Sequence, residues 1–215
     1  MSRPTTNTDL RLIKAAKELI PQVGTAGLNL RQVAKKADVN LGMFHYHFKT
    51  KNEFIKRVFE NIYEEFFKSF SLIYEKEQDP EEALRGLLLS MARFSRDNRK
   101  LLASLFGDLL NKEEIATGFV RENIGRHVKP FMEVIQRGQK DGVFESMPMA
   151  QAVSFLMASV NLPNVIAGHL DRMGRGGKIP LEIDKAVLSD AALEQRVEMA
   201  LRGLARVSPK TKRKI

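Results

Sequence analysis

The chain reads as an all-α protein. Along its 215 residues, apolar side chains recur at three- and four-residue spacing, and no segment shows a convincing strand alternation. Residues that start helices stand at the head of the apolar runs. About nine helices are expected. Three make a small head over 1–50, six make a larger body over 51–207, and the basic tail 208–215 is expected to be disordered.

IKAAKELIPQVG supplies the first helix. Asn29 is a good N-cap for Leu30 to Ala37, where Val33 and Ala37 lie four apart on one inward face. Asp38 and Asn40 break that run, with Val39 between them as an apolar plug, and Asn40 caps a helix from Leu41 to Phe48. Thr50 caps the next helix, and Glu53 completes a capping box. The two short helices cannot be stable alone and must be held by the first. This is the pattern of a helix-turn-helix, with the motif over about 29–48, which presents its second helix to the major groove of DNA.

At about 100° per residue, Phe44 and Phe48 fall on one side of that second helix. Gly42, Met43, Tyr46 and His47 fall broadly on the other, with Leu41 and His45 at the flanks. The phenylalanines should anchor the helix. The opposite face offers close backbone approach, an apolar side chain, a phenol and an imidazole, suited to thymine methyls, phosphates and base edges.

The body continues as helices. An amphipathic helix should run from Lys51 to about Lys76 and link head and body. Asp79-Pro80-Glu81-Glu82 starts the next, with proline at the first helical position and acids facing the macrodipole; it ends near Asp97-Asn98. LLASLFGDLL follows. Glu113 to Lys140 is a long helix with Pro130 inside and a kink expected there, closed by Gly142. MAQAVSFLMASVNLPNVIAGHL is apolar almost all round, interrupted by Pro163. A glycine-rich charged loop, Asp171 to Lys178, precedes a last helix from about Asp190 to Val207.

Charge is unevenly spread. Residues 1–57 carry eleven Lys/Arg against four Asp/Glu, residues 58–201 eighteen against twenty-two, and residues 202–215 six against none. A basic head on a slightly acidic body is the electrostatic footprint of a DNA-binding module joined to a domain with another task. No cysteine occurs, which excludes disulfides, thiolate metal sites and cysteine nucleophiles. No apolar run approaches the ~18 residues of a membrane span, and no leader opens the chain. His45 and His47 point about 200° apart and cannot share a metal, while His127 and His169 are isolated. No catalytic motif, metal site or cofactor is expected, so the chain is not read as an enzyme.

From IKAAKELIPQVG through LNLRQVAKKADVNLGMFHYHFKTKNEFI, the sequence resembles the DNA-binding domain of the TetR family of bacterial transcriptional regulators. The block from Val39 to Lys51 is the most specific part; it departs from the family pattern at Met43 and His45. The DNA-contacting set that follows is Asn29, Arg31, Asn40, Leu41, Gly42, Met43, His45, Tyr46, His47 and Lys51. The resemblance implies a cytoplasmic homodimer joined through its last two helices. It further implies a nearly palindromic double-stranded operator and, as the commoner outcome, repression relieved by a small molecule. An inducer pocket in the body is expected to take a largely apolar effector among Met91, Phe94, Phe106, Phe119, Phe131, Met132, Phe155 and Met157. Asn161, Arg93, Arg121 or His127 would supply a polar anchor. The competing reading is a helical ligand-binding or scaffold protein with a degenerate head.

Overall fold

A computed structural model of the chain describes residues 7–76, 79–173 and 182–206. Among them stand ten helices: α1 (Thr8–Val23), α2 (Leu30–Ala37), α3 (Leu41–His47), α4 (Lys51–Lys76), α5 (Pro80–Asp97), α6 (Arg99–Leu110), α7 (Glu114–Lys140), α8 (Met149–Met173), α9 (Ile183–Ala186) and α10 (Asp190–Leu204). No strand occurs among the described residues; one isolated antiparallel bridge pairs Phe144 with Ala205. The tail 208–215 and residues 174–178 of the expected glycine-rich loop lie outside the described residues.

The expected start signals sit where helices begin. The side chains of Asn29, Asn40 and Asp79 accept from backbone N–H groups of the first turns of α2, α3 and α5, as Ser189 does for α10. At α4, Glu53 N donates to Thr50 Oγ1 at 3.1 Å, and the Glu53 carboxylate reaches back to Lys49 N at 3.2 Å. Three expectations need correction. The tenth helix, α9, is a single turn without a capping side chain, too short to leave a periodic pattern. Pro163 does not interrupt α8, and Asp171 lies within that helix. A proline inside a helix costs about 3 kcal/mol, which the burial of Leu156, Val160, Asn164 and Ala167 along one face offsets. Finally, α8 is long and apolar enough by composition to cross a membrane. It has no unbroken apolar run, but its alanines, methionines and leucines outweigh Asn161 and Asn164.

The chain divides into two compact units. The first joins α1 to α3, α4 as far as Phe66, Arg99–Asn123 and α8 from Gly168 on. Here α1 packs on α2, α3 and α6. The Phe54 ring sits 5.0 Å from Phe44 and 4.8 Å from Phe48, and Phe119 stacks at 5.2 Å on Phe59. Helix α6 is fastened at both ends. Arg99 at its start pairs with the buried carboxylate of Asp171 on α8 at 2.8 Å. The Arg99 backbone also lies where a Cβ on Gly168 would have to go, so only glycine permits that approach. Toward its other end, Ser104 Oγ donates to Ile20 O at 3.2 Å, and the buried carboxylate of Asp108 accepts from Thr25 N at 3.2 Å and Thr25 Oγ1 at 2.8 Å.

The second unit holds α4 from Phe67, α5, most of α7, α8 up to Ala167 and α10. Leu84, Leu87 and Leu88 of α5, and Leu193, Val197 and Leu201 of α10, are buried where these two helices pack. Phe131 of α7 is fully buried beside Phe70 of α4, with ring centroids 5.5 Å apart. After α7, Gly142 takes the left-handed conformation expected of a helix-ending glycine, at φ 75°. Phe144 then folds back onto Gly138. Glu145 N donates to Leu204 O at 2.8 Å, and Arg206 N to Val143 O at 3.1 Å, so this turn is laced to the end of α10.

Candidate nucleic-acid interface

Helix α3 has seven residues and would not persist alone. It is held by its own aromatic face: Phe44 is fully buried and Phe48 is 5% exposed. The turn before it is set by Asp38, which takes the left-handed conformation at φ 52°. Arg11 of α1 clamps that residue, donating to its backbone carbonyl at 2.9 Å and its carboxylate at 3.1 Å. The Asn40 side chain then accepts from Gly42 N at 2.7 Å and opens the helix.

With one side locked inward, the other is displayed. Tyr46 is 75% exposed, and Gly42 and His45 are exposed as well. Leu41, Met43 and His47 are half-buried at the margins. The Tyr46 and His47 rings meet edge-on at 5.2 Å. His47 Nε2 is shielded from solvent with no hydrogen-bond partner, so its outward chemistry rests on the other ring nitrogen. Asn29 and Asn40 are exposed but engaged as caps, which leaves their amide groups able to donate while their oxygens hold the backbone. Lys51 directs its ammonium to Ala26 O at 2.6 Å. That bond ties the start of α4 to the loop between α1 and α2, and the remaining ammonium hydrogens are left for a phosphate.

The surrounding cations sort into two groups. Arg11, Lys36, Lys56 and Arg57 are paired with Asp38, Glu18, Glu122 and Glu60. The Glu122 partner holds the Lys56 ammonium pKa above its ordinary value, and Lys36 pulls the Glu18 carboxyl below its own. Arg31, Lys35 and Lys49 are exposed and have no acid partner among the described residues. Arg31 belongs to the expected set. Lys35 and Lys49 do not, although their place in the basic head was a signal for them. The second group is chemically fit for phosphates.

The candidate effector-binding side chains fall in both units. Phe106 and Phe119 belong to the first; Met91, Phe94, Phe131, Met132, Phe155, Met157 and Asn161 belong to the second. Met91, Phe119 and Phe131 are buried, Phe94 and Met157 half-buried, and Phe106, Met132 and Phe155 exposed. Asn161 Nδ2 donates to Met157 O at 3.1 Å, and its Oδ1 is buried without a donor. Of the other proposed anchors, Arg93 lies 3.8 Å from both Asp190 and Glu194, Arg121 is exposed, and the His127 side chain lies outside the described residues.

Residues 12–58 match the family model described as bacterial regulatory proteins, tetR family. The probable HTH-type transcriptional regulator YttP of Bacillus subtilis is 21% identical over 73% of this chain and 77% of its own length. The HTH-type transcriptional repressor KstR2 of Mycolicibacterium smegmatis is 24% identical over 66% and 70%. The solved ketosteroid transcriptional regulator KstR2 of Mycobacterium tuberculosis superposes with a TM-score of 0.70 at 15% identity, covering 95% of this chain and 98% of that one. Residues 12–58 thus form a basic helix-turn-helix head, its second helix anchored by Phe44 and Phe48, that is similar to the head of tetR-family regulatory proteins.

Proposed function

We propose that the protein is a ligand-responsive repressor acting in the cytoplasm, which binds a short, nearly palindromic operator as a homodimer. The observation that carries the DNA reading is the division of α3: Phe44 and Phe48 are buried while Tyr46 is 75% exposed. Tyr46, His45, Met43 and the outward edge of His47 read base edges, while Arg31, Lys35, Lys49 and Lys51 hold phosphates.

The dimer forms through α8 and α10. Phe155, Leu162 and Ile166 recur along one side of α8 and are exposed, as is Met199 on α10. A large apolar stripe of this kind marks a surface covered by another chain. Two-fold pairing would set the recognition helices about one DNA turn apart, ~34–36 Å or a multiple.

The effector is a small, largely apolar molecule bound in the second unit near Met91, Phe94, Phe131, Met157 and Asn161. The buried acceptor Asn161 Oδ1 is suited to a hydroxyl or N–H donor. The name of a relative, a ketosteroid transcriptional regulator, is compatible with an apolar effector. Two helices carry the response. Helix α4 contributes to both units, and so does α8. Where α8 ends, Gly168 and Asp171 hold the start of α6, whose Ser104 and Asp108 hold Ile20 and Thr25 in the head. A ligand preferring one arrangement of α8 would thereby bias the head. A differential of 1–3 kcal/mol changes operator affinity about 5- to 150-fold.

A gel shift against the protein's own upstream intergenic DNA at two salt concentrations tests this. Specific binding that falls steeply with salt is expected. No shift with any genomic fragment would favour a helical ligand-binding or scaffold protein with a degenerate head.

A further inference from the structure

Across the contact of α5 with α10, each arginine of α5 that faces α10 has an acid. Arg85 pairs with Glu81, Glu82 and Glu198. Arg93 lies 3.8 Å from Asp190 and Glu194, and Arg96 pairs with Asp97 at 2.9 Å and Asp190 at 2.8 Å. These contacts engage every acid of α10. Arg196 of the same helix is the exception: it has no ion pair with any described residue, although it is only partly exposed.

What Arg196 has instead is a neutral, rigid support. Its Nη2 donates to Asn164 Oδ1 at 2.9 Å. Asn164 is fully buried, and its Nδ2 donates to Ser95 Oγ at 2.7 Å and Ala92 O at 3.1 Å. Ser95 Oγ donates in turn to Ala92 O at 3.0 Å. The guanidinium is therefore held in place, yet its Nε is buried with no partner. Leu193 and Val197 beside it on α10, and Val160 one turn before Asn164 on α8, are almost wholly buried and apolar. Desolvation among them lowers the Arg196 pKa, with no acid acting the other way.

A held, half-desolvated cation without a counter-charge is costly unless something supplies one. A second copy has little to offer from α8 and α10. Met149 to Leu170 of α8 contains no Asp or Glu, and the acids of α10 are engaged by α5. Residues 174–181, between α8 and α9 in the sequence, include no acid either. We propose that Arg196, positioned by Asn164, binds the carboxylate of a small monocarboxylic acid with an apolar body. One guanidinium balances one negative charge, and its planar fork matches a carboxylate. This goes beyond the effector reading above: the site binds acids whether or not its occupant releases DNA, so its test reads binding alone.

The test is a thermal-shift and calorimetric titration of the full chain with octanoate and cyclohexanecarboxylate, with octanol and methyl octanoate as uncharged matches. At least one acid should raise the melting temperature and bind, and the alcohol and ester should do neither. Arg196→Met should weaken acid binding about tenfold or more, Arg196→Lys should weaken it less, and Arg202→Gln, an exposed arginine of the same helix, should leave it unchanged. Should Arg196→Met fail to fold, the acid-against-ester comparison on the wild-type chain still decides. Equal binding of acid and ester, equal acid binding by Arg196→Met, or no stabilisation by either acid would overturn the proposal. Loss of the dimer in Arg196→Met with no acid binding by the wild type would overturn it too, assigning the counter-charge to a second protomer.

Discussion

Helices α3 and α8 solve the same packing problem and present opposite surfaces. Each buries one face: α3 through Phe44 and Phe48, α8 through Leu156, Val160, Asn164 and Ala167. The remaining face of α3 carries a phenol and imidazoles within a basic segment, whereas that of α8 carries Phe155, Leu162 and Ile166. Burial states only that a helix is anchored. The chemistry of what is left outside decides what each face suits: polar nucleic acid for α3 and, in the homodimer proposed above, an apolar protein surface for α8.

Breaking the anchor of α3 should have the largest effect. Phe44→Ala removes a fully buried ring from the cluster with Phe48 and Phe54 and should cost about 3–5 kcal/mol. Urea unfolding followed by circular dichroism would register this, and DNA binding should vanish with it. On α8 the outward face is the sensitive one. A Leu162→Lys, Ile166→Lys pair should reduce the sedimentation mass to that of one chain while helix content is retained; a mass still that of a dimer would place the interface elsewhere.

Tyr46→Ala sharpens the contrast from the other side. It should leave the unfolding midpoint within about 0.5 kcal/mol of wild type and lower operator affinity about tenfold. A variant that loses stability but keeps its operator affinity would mean that the exposed ring is structural. Thr25→Val removes the hydroxyl that Asp108 accepts from, and should cost about 1 kcal/mol. The loss should be visible as faster amide exchange in the loop between α1 and α2. The smallest effect concerns acid. Lys36 depresses the Glu18 pKa chiefly through a side-chain hydrogen bond. The pair therefore contributes above the ordinary carboxyl value of 4.5, and its contribution is lost as pH falls through the lowered folded value. Glu18→Gln should slightly lower stability at neutral pH, change nothing once pH is below the lowered folded value, and so flatten the acid limb of the stability profile.

The local features were legible in the sequence because their causes are local. Asn29, Asn40, Thr50 and Asp79 act within three residues of themselves, so a string of letters is enough to place the helix starts. The inward turn of Phe44 and Phe48 follows from a four-residue spacing. The links that hold the head were not legible. Thr25 and Asp108 are 83 residues apart, Lys51 and Ala26 are 25 apart, and nothing near any of them marks its partner. Arg196 has the same character: its lack of an acid is evident only once Arg85, Arg93 and Arg96 are seen to hold the others. Proline misled the reading at α8, since tertiary burial outweighed a local breaking signal.

The fold-back of Phe144 onto Gly138 carries a consequence for how this sequence can drift. A methyl group at residue 138 would overlap the Phe144 ring, and that ring follows the turn laced to the end of α10. The two codons are therefore coupled. An alanine at 138 becomes tolerable only after residue 144 has shrunk, so related chains should exchange this pair together, in that order, or keep both.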